Sequence, residues 1–247
     1  MLNGLDLFSG IGGIQLGLSS WLSPIAYCEI DRYCQGVLLS RMASGEIPRA
    51  PIWDDIRTLT AENLGREVDI ITGGFPCQDI SVAGTGQGLD GERSGLFFEI
   101  IRLVRELRPL FVFLENVPAI HTRGLDRVLM EFNALGFDAR WTIVSAAELG
   151  GCHVRERWFA LFADPHSLRL WQERRPEDGR DTVRQRPMES NSASSPRGIA
   201  RTPEGFFKPR VDRAGDGVPL RVDRHHGLGN AVVPAQAREA FMRLIGL

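Results

Sequence analysis

The chain has 247 residues, 43% of them hydrophobic, and four scattered cysteines, Cys28, Cys34, Cys77 and Cys152. That is enough for one sizeable core, and it lacks the cysteine spacing of a zinc ribbon or a disulfide scaffold. Met1 runs into Leu5-Asp6-Leu7-Phe8 without a signal-peptide pattern, and no apolar run reaches transmembrane length, so a reduced, cytoplasmic protein with no membrane contact is expected. Net charge is −2, yet residues 151–226 carry fifteen Arg or Lys against eleven Asp or Glu, while the remainder carries fourteen against twenty. A basic segment on an acidic body suits a nucleic-acid footprint, and a solvated surface loop equally well.

Leu2 to Phe8 reads as a first strand, followed by Ser9-Gly10-Ile11-Gly12-Gly13 and a helix opening at Ile14 to Leu18. Strand, Gly-rich turn and helix together let a ligand approach the backbone and offer it free N–H groups. Gln15 stands where the dinucleotide fingerprint wants glycine, which weighs against NAD. Pro24 to Ile30 is a second strand ending in Cys28-Glu29-Ile30-Asp31. An acidic residue there can accept hydrogen bonds from ribose hydroxyls, with Glu29 in that role and Asp31 capping a helix from Arg32 to Met42. Trp53-Asp54-Asp55-Ile56 comes at a third edge, where a carboxylate would face an adenine amino group with Ile56 against the ring.

Val68-Asp69-Ile70-Ile71-Thr72 reads as a buried strand leading into Gly73-Gly74-Phe75-Pro76-Cys77-Gln78-Asp79-Ile80-Ser81. The glycines permit a sharp turn and Pro76 fixes the dihedral before Cys77, which presents a thiol at a strand's carboxyl end, where open α/β sheets bind ligands. A lone cysteine is more often a small buried hydrophobe. That plainer reading explains neither the glycines nor the proline, so Cys77 is the candidate nucleophile. The stretch from Cys77 to Arg93 is long and polar, as functional or mobile loops are. Ser94 to Arg108 is a helix with Leu96, Ile100, Leu103, Val104 and Leu107 on one face. Pro109 to Leu114 is an apolar strand running into Glu115-Asn116-Val117-Pro118, a second polar cluster at the same sheet edge. Glu115 as a helix cap is the alternative.

Leu125 to Leu135 is a helix stopped by Gly136, and Trp141 to Val144 a strand. Period-two spacing would set His153, Arg155 and Arg157 on one face, where paired arginines suit phosphate or base-carbonyl contacts. Ala163 to Pro219 is rich in Arg, Pro, Ser and Gly without sustained periodicity, and reads as irregular. Gly227 to Pro234 leads into a last helix, Ala235 to Ile245.

In this order the blocks resemble those of DNA (cytosine-5) methyltransferases, over about residues 1–162 and 221–247. The resemblance implies a Rossmann-like α/β sheet with helices on both faces and a small irregular recognition lobe. The catalytic domain would be 1–162, the lobe 163–220, and 221–247 a segment returning to the catalytic domain. It implies S-adenosylmethionine as cofactor, held by Asp6, Phe8, Ser9, Gly10, Ile11, Gly12 and Gly13, by Glu29 and Ile30, by Asp55 and Ile56, by Pro76 and Leu96, and by Asn230 and Ala231 of the last block. Cys77, Glu115, Asn116, Arg155 and Arg157 would be catalytic, without a metal. Double-stranded DNA is the implied partner of a monomer, with a cognate restriction endonuclease as a further candidate. Two departures stand out: His153 replaces the family's usual Gln, and only Arg221-Val222-Asp223-Arg224 sits near the place of the usual recognition motif. A tRNA-directed member of the family, and a non-catalytic nucleic-acid binder of the same fold, are the alternatives.

Overall fold

The computed structural model describes residues 1–76, 95–173, 199–201, 207–209 and 231–246. Cys77, Asn230, the 221–224 block and the arginine-rich stretch after Glu173 therefore lie outside the described residues.

Seven strands make one sheet: β1 (Leu2–Leu7), β2 (Leu22–Cys28), β3 (Ile52–Trp53), β4 (Ile70–Gly74), β5 (Phe111–Asn116), β6 (Asp138–Ser145) and β7 (Glu156–Ala163). Their spatial order is β3-β2-β1-β4-β5-β7-β6. β7 runs antiparallel to both its neighbours, while β1 to β5 pair in parallel. The order reverses beside β1, so β1 and β4 diverge at their carboxyl ends into a crevice of the kind that binds ligands.

The helices are α1 (Gly13–Gly17), α2 (Arg32–Ser44), α3 (Ala61–Leu64), α4 (Gly95–Leu107), α5 (Ile120–Arg123), α6 (Leu125–Ala134), α7 (Pro165–Glu173) and α8 (Pro234–Ile245). They cover both faces of the sheet, which is why β5 reads as an unbroken apolar run. Val112 and Leu114 face one core with Ile100, Val104 and Phe132 of α4 and α6. Phe111 and Phe113 face the other with Ile14 of α1 and Phe241 of α8. Phe113 lies between Phe159, stacked at 5.6 Å, and Phe241, edge-on at 5.5 Å. Each such pair adds about 1 kcal/mol to simple burial, and together they tie β5, β7 and α8. On the same face α1 fits against the start of α8 without clearance. A Cβ on Gly13 would overlap the Val232 carbonyl, and one on Gly17 the Pro234 carbonyl.

The structure corrects several sequence expectations. The strand read as Pro109 to Leu114 is shifted by two residues to Phe111–Asn116, with Glu115 and Asn116 as its last two residues. The buried stripe of α4 is Phe97, Ile100, Ile101, Leu103 and Val104, while Leu96 and Leu107, at its two ends, are only half-buried. β6 begins at Asp138, three residues before the apolar run. The region read as irregular opens with helix α7, whose Leu168 packs on the core. Its signal was local: the Asp164 carboxylate accepts from the Ser167 N–H at 2.9 Å and from its hydroxyl at 2.7 Å, with Pro165 at the first helical position. A two-stranded hairpin, β8 (Ile199–Arg201) with β9 (Phe207–Pro209), follows in the same region. No helix among the described residues is long and apolar enough to cross a membrane.

Candidate active site

Among the described residues, the carboxyl ends of β1, β2, β4 and β5 and the amino end of β7 bring the 8–13 loop, Glu29, Ile30, Pro76, Glu115, Asn116 and Arg157 to one edge of the sheet. At the β1–β2 end the backbone shapes the site. Phe8, Gly10 and Gly12 have positive φ angles of 51°, 52° and 83°, which curl the chain away from β1 before α1 begins. Gly10 would tolerate a Cβ sterically, since only the Phe8 carbonyl lies near it at 4.0 Å; its φ, not crowding, favours glycine. The curl is pinned from three sides. The Ser9 N–H donates to the Cys28 carbonyl at 3.1 Å and the Ser9 hydroxyl to the Asp6 carbonyl at 2.7 Å. From outside, the Arg41 guanidinium on α2 donates to the Ile11 carbonyl at 2.8 Å. Arg41 was not legible as a site residue, since nothing local connects it to the Gly-rich turn.

Glu29 closes this half. One carboxylate oxygen accepts from the Gly10 N–H at 2.7 Å and the other from the Asp31 N–H at 2.8 Å. Burial pushes its pKa up while these N–H groups pull it down. Asp31 caps α2 through the Cys34 N–H at 2.8 Å, as expected. Beside Glu29, Ile30 is 66% exposed. Asp6 is buried beneath the loop: one oxygen accepts from the Thr72 hydroxyl at 2.6 Å, and the other is buried with no hydrogen-bond partner among the described residues. Desolvation pushes its pKa up to about 7. Asp55 is engaged by Arg57 in an ion pair at 2.7 Å, which holds its carboxyl below the usual range, and Ile56 is a core residue under α4. Burial drives the Cys28 and Cys34 thiols up to about 12, so both stay protonated.

At the β4–β5–β7 end charged side chains shape the site. Glu115 is 8% exposed, and its carboxylate meets the Arg157 guanidinium of β7 at 2.8 Å. Its second oxygen occupies the space where a Cβ on Gly74 would stand, 2.8 Å away, so the second glycine of the Gly73-Gly74 pair makes room for the acid. Desolvation outweighs the two nearby guanidiniums, Arg157 and then Arg155, and Glu115 titrates at about 7. This is an ion-paired strand residue and not a helix cap. Asn116 fastens the approach to Cys77: its amide donates to the Phe75 carbonyl at 3.1 Å and its oxygen accepts from the Val117 N–H at 2.8 Å. Phe75 is buried against Phe97 at 5.4 Å, while Pro76 is exposed.

The two arginines separate. Arg157 reaches Glu115, whereas Arg155 turns to the C-terminal segment and donates to the Ala231 carbonyl at 2.8 Å. Burial and the charge of Arg157 lower its pKa. His153 lies exposed in the bend before β7, while Arg155 and Arg157 reach the Ala231 carbonyl and Glu115. Ala231 thus contributes a carbonyl to Arg155, and Leu96 packs at the edge of the core. One end of the site thus presents a left-handed Gly-rich turn and a buried carboxylate, and the other a buried acid, held by a guanidinium, that can gain or lose a proton near neutral pH. No cluster of metal-ligating side chains occurs among the described residues.

Comparison with known proteins points the same way. The family model of C-5 cytosine-specific DNA methylases matches residues 2–192. The type II methyltransferase M.CviJI of Paramecium bursaria Chlorella virus IL3A is 35% identical over 64% of this chain and 42% of its own length. M.HhaI of Haemophilus parahaemolyticus is 36% identical over 64% of this chain and 47% of its own. The chain thus spans about half the length of the curated relatives it matches. Among solved structures, a prophage-encoded E. coli protein described as a candidate DNA modification methyltransferase superposes with a TM-score of 0.55 at 30% identity, covering 66% of this chain and 47% of that one. The S. pombe Dnmt2 methyltransferase shares the fold, with a TM-score of 0.55 at 20% identity over 73% of this chain and 58% of its own.

Proposed function

Because the chain belongs to the C-5 cytosine-specific DNA methylase family, we propose that it transfers a methyl group from S-adenosylmethionine to C5 of a cytosine in double-stranded DNA. The observation that carries this reading is the Glu115–Arg157 pair, buried at the β5 end beside the strand that runs into Cys77. Glu115 titrating at about 7 is an acid able to keep or lose a proton at working pH.

The residues at the β1–β2 edge fit the cofactor. The left-handed turn at Gly10 leaves open space for a close approach, Glu29 supplies carboxylate oxygens for ribose hydroxyls, and Ile30 offers an exposed apolar surface for adenine. When bound, the cofactor supplies an electrophilic methyl group on a sulfonium. Ile56 and Asp55 would act through the wall they form rather than as a free pair, given their present partners.

Cytosine C5 is too poor a nucleophile to take a methyl group unaided. In the proposed reaction the Cys77 thiolate adds to C6, and the ring becomes enamine-like at C5. Glu115, when protonated, donates to N3 and offsets the negative charge that addition places on the ring; Arg157 holds the carboxyl in place and faces the base carbonyl. C5 would then take the methyl group, the broken S–CH3 bond leaving its electron pair on a neutral thioether, the C5 proton would leave to solvent or a base, and Cys77 would be expelled as thiolate to restore the double bond. Asn116 ties the Phe75 carbonyl, two residues before Cys77 in the sequence, to the end of β5 that carries Glu115. The target base must leave the duplex stack to reach these groups. Residues 163–220 would be the recognition lobe, with affinity resting largely on phosphate contacts of its arginines.

The test is methyl transfer from labelled cofactor to duplex DNA and to tRNA in parallel, followed by bisulfite sequencing of the DNA. Label in DNA at C5 of cytosine supports the reading. Label in tRNA alone would move the substrate to RNA, and none in either would leave a non-catalytic relative.

A further inference from the structure

Gln236, in the first turn of α8, is fully buried in a stripe otherwise made of Ala237, Ala240, Phe241, Leu244 and Ile245. Its amide nitrogen donates to the Val144 carbonyl at 2.7 Å and to the Arg155 carbonyl at 2.6 Å. Two carbonyl acceptors identify that end of the amide as the nitrogen. Its Oε1 is buried with no hydrogen-bond partner among the described residues. A leucine would avoid burying that oxygen, so the two donated bonds are what the amide adds.

Those bonds fall at a particular place. Val144 is the register partner of Arg157 in the β6–β7 ladder, and Arg155 lies two residues before Arg157. Gln236 therefore adds a side-chain clamp at the end of the ladder, where the Ala146 N–H also donates to the Arg155 carbonyl at 3.1 Å, next to the arginine that pairs with Glu115. The Arg155 guanidinium returns to the Ala231 carbonyl of the same C-terminal segment. That segment rests on α1, with the Val232 carbonyl filling the space over Gly13. One short stretch thus touches both the cofactor half and the arginine half of the site.

We propose that Gln236 is a positioning residue: it clamps the mouth of the β6–β7 ladder so that Arg157 is delivered to Glu115, and through α1 it keeps that pair in register with the cofactor loop. The proposal rests on the methyl-transfer reading for its catalytic consequence, but not for its geometry. Among the described residues, the groups facing the Glu115 carboxylate are Arg157 and Arg155 from the β7 side and the Gly74 backbone from β4. Loosening the ladder moves positive charge away and should raise the pH at which Glu115 titrates.

The experiment uses the full chain with Gln236→Met, which keeps the volume and removes both donors, and Gln236→Glu, which restores one donor only when protonated. Glu115 is titrated by carboxyl NMR, assigned with Glu115→Gln, and single-turnover methyl transfer to duplex DNA is followed across pH. The expected result is a Glu115 titration moved to higher pH in Gln236→Met, with methyl transfer slowed by about 10- to 100-fold, as for a displaced catalytic group. Gln236→Glu should recover part of that loss as pH falls, and Gln236→Met should not. An unmoved Glu115 titration in folded Gln236→Met, or failure of both variants to fold, would make Gln236 a core amide and overturn the proposal. A wild-type chain without methyl transfer but with the titration shift on mutation would instead refute the methyl-transfer reading and leave the clamp standing.

Discussion

The two halves of the carboxyl edge are built from different materials. Around β1 and β2 the shape is set by backbone: positive φ angles at Phe8, Gly10 and Gly12, carbonyls pinned by Ser9 and Arg41, and N–H groups gathered on Glu29. Around β4, β5 and β7 it is set by side-chain charge: one buried acid, two arginines and an asparagine that holds the adjoining turn. A ligand that only has to be held can be met by fixed dipoles, which need no titration. A ring that must gain and lose charge needs a group whose proton is loosely held near neutral pH, and desolvation beside a guanidinium provides it. The two halves should therefore fail differently, the charge-built half in rate and the backbone-built half in binding and stability.

The largest effect is expected at Cys77. Cys77→Ser should bring single-turnover methyl transfer below detection while leaving cofactor affinity near wild type, because a hydroxyl is hardly ionised at neutral pH. Transfer at a measurable fraction of the wild-type rate would mean that another group attacks the ring. Next comes Glu115→Gln, which should slow transfer by roughly 10²–10⁴-fold, the range for a lost general acid. It should also abolish the limb of the rate profile that falls as pH rises through about 7, the value at which Glu115 titrates. A retained limb would assign that ionisation elsewhere.

In the backbone-built half the expected losses are smaller and of another kind. Gly13→Ala drives a methyl group into the Val232 carbonyl, so α1 and α8 must separate. Overpacking of this sort costs about 1–3 kcal/mol. Calorimetry should show a lowered melting temperature and weaker cofactor binding, with a near-normal rate at saturating cofactor. A rate loss persisting at saturation would show that the two halves are more tightly coupled than their construction suggests. The smallest effect on methyl transfer is expected from Asp6→Asn, whose consequence lies in the pH dependence of stability. Asp6 titrates at about 7 in the folded chain against 3.8 unfolded, so folding favours its protonated form. Its contribution is full below about pH 4 and is lost as pH rises towards 7, with a slope of up to about 1.4 kcal/mol per pH unit. Glu115 adds a slope of the same sign over a similar window. Asp6→Asn should keep the Thr72 bond and remove only the first slope, and urea unfolding between pH 4 and 7 would reveal it. An unchanged pH dependence would mean that Asp6 is ionised in the fold.

The same contrast explains what the sequence disclosed. β1, β4 and β5 were legible because strands buried on both faces must be apolar throughout, and the polar residues that interrupt such runs fall at their carboxyl ends. Glu115, Asn116, Glu29 and the Asp31 cap followed from that rule. Contacts between distant residues carry no local sign. The Arg155 to Ala231 bond spans 76 residues and the Gln236 to Val144 bond 92, and neither end has a pattern that names the other. Period two sets His153 with the arginines, but the chain before β7 bends at Cys152 and His153, so the strand alternation does not reach back to His153. Helix α7 was passed over because compositional bias over the whole segment outweighed a short, well-capped start at Asp164-Pro165.

The central claim is that Cys77 attacks C6 of a cytosine held against Glu115. A duplex carrying 5-fluorocytosine tests it, since fluorine replaces the proton that must leave C5 before Cys77 can be expelled. Incubated with S-adenosylmethionine, the protein should form a stable adduct, and mass spectrometry should find methylated fluorocytosine on the peptide bearing Cys77. Cys77→Ser should form none. An adduct on any other residue, or full turnover of the fluorinated duplex without an adduct, would contradict the account.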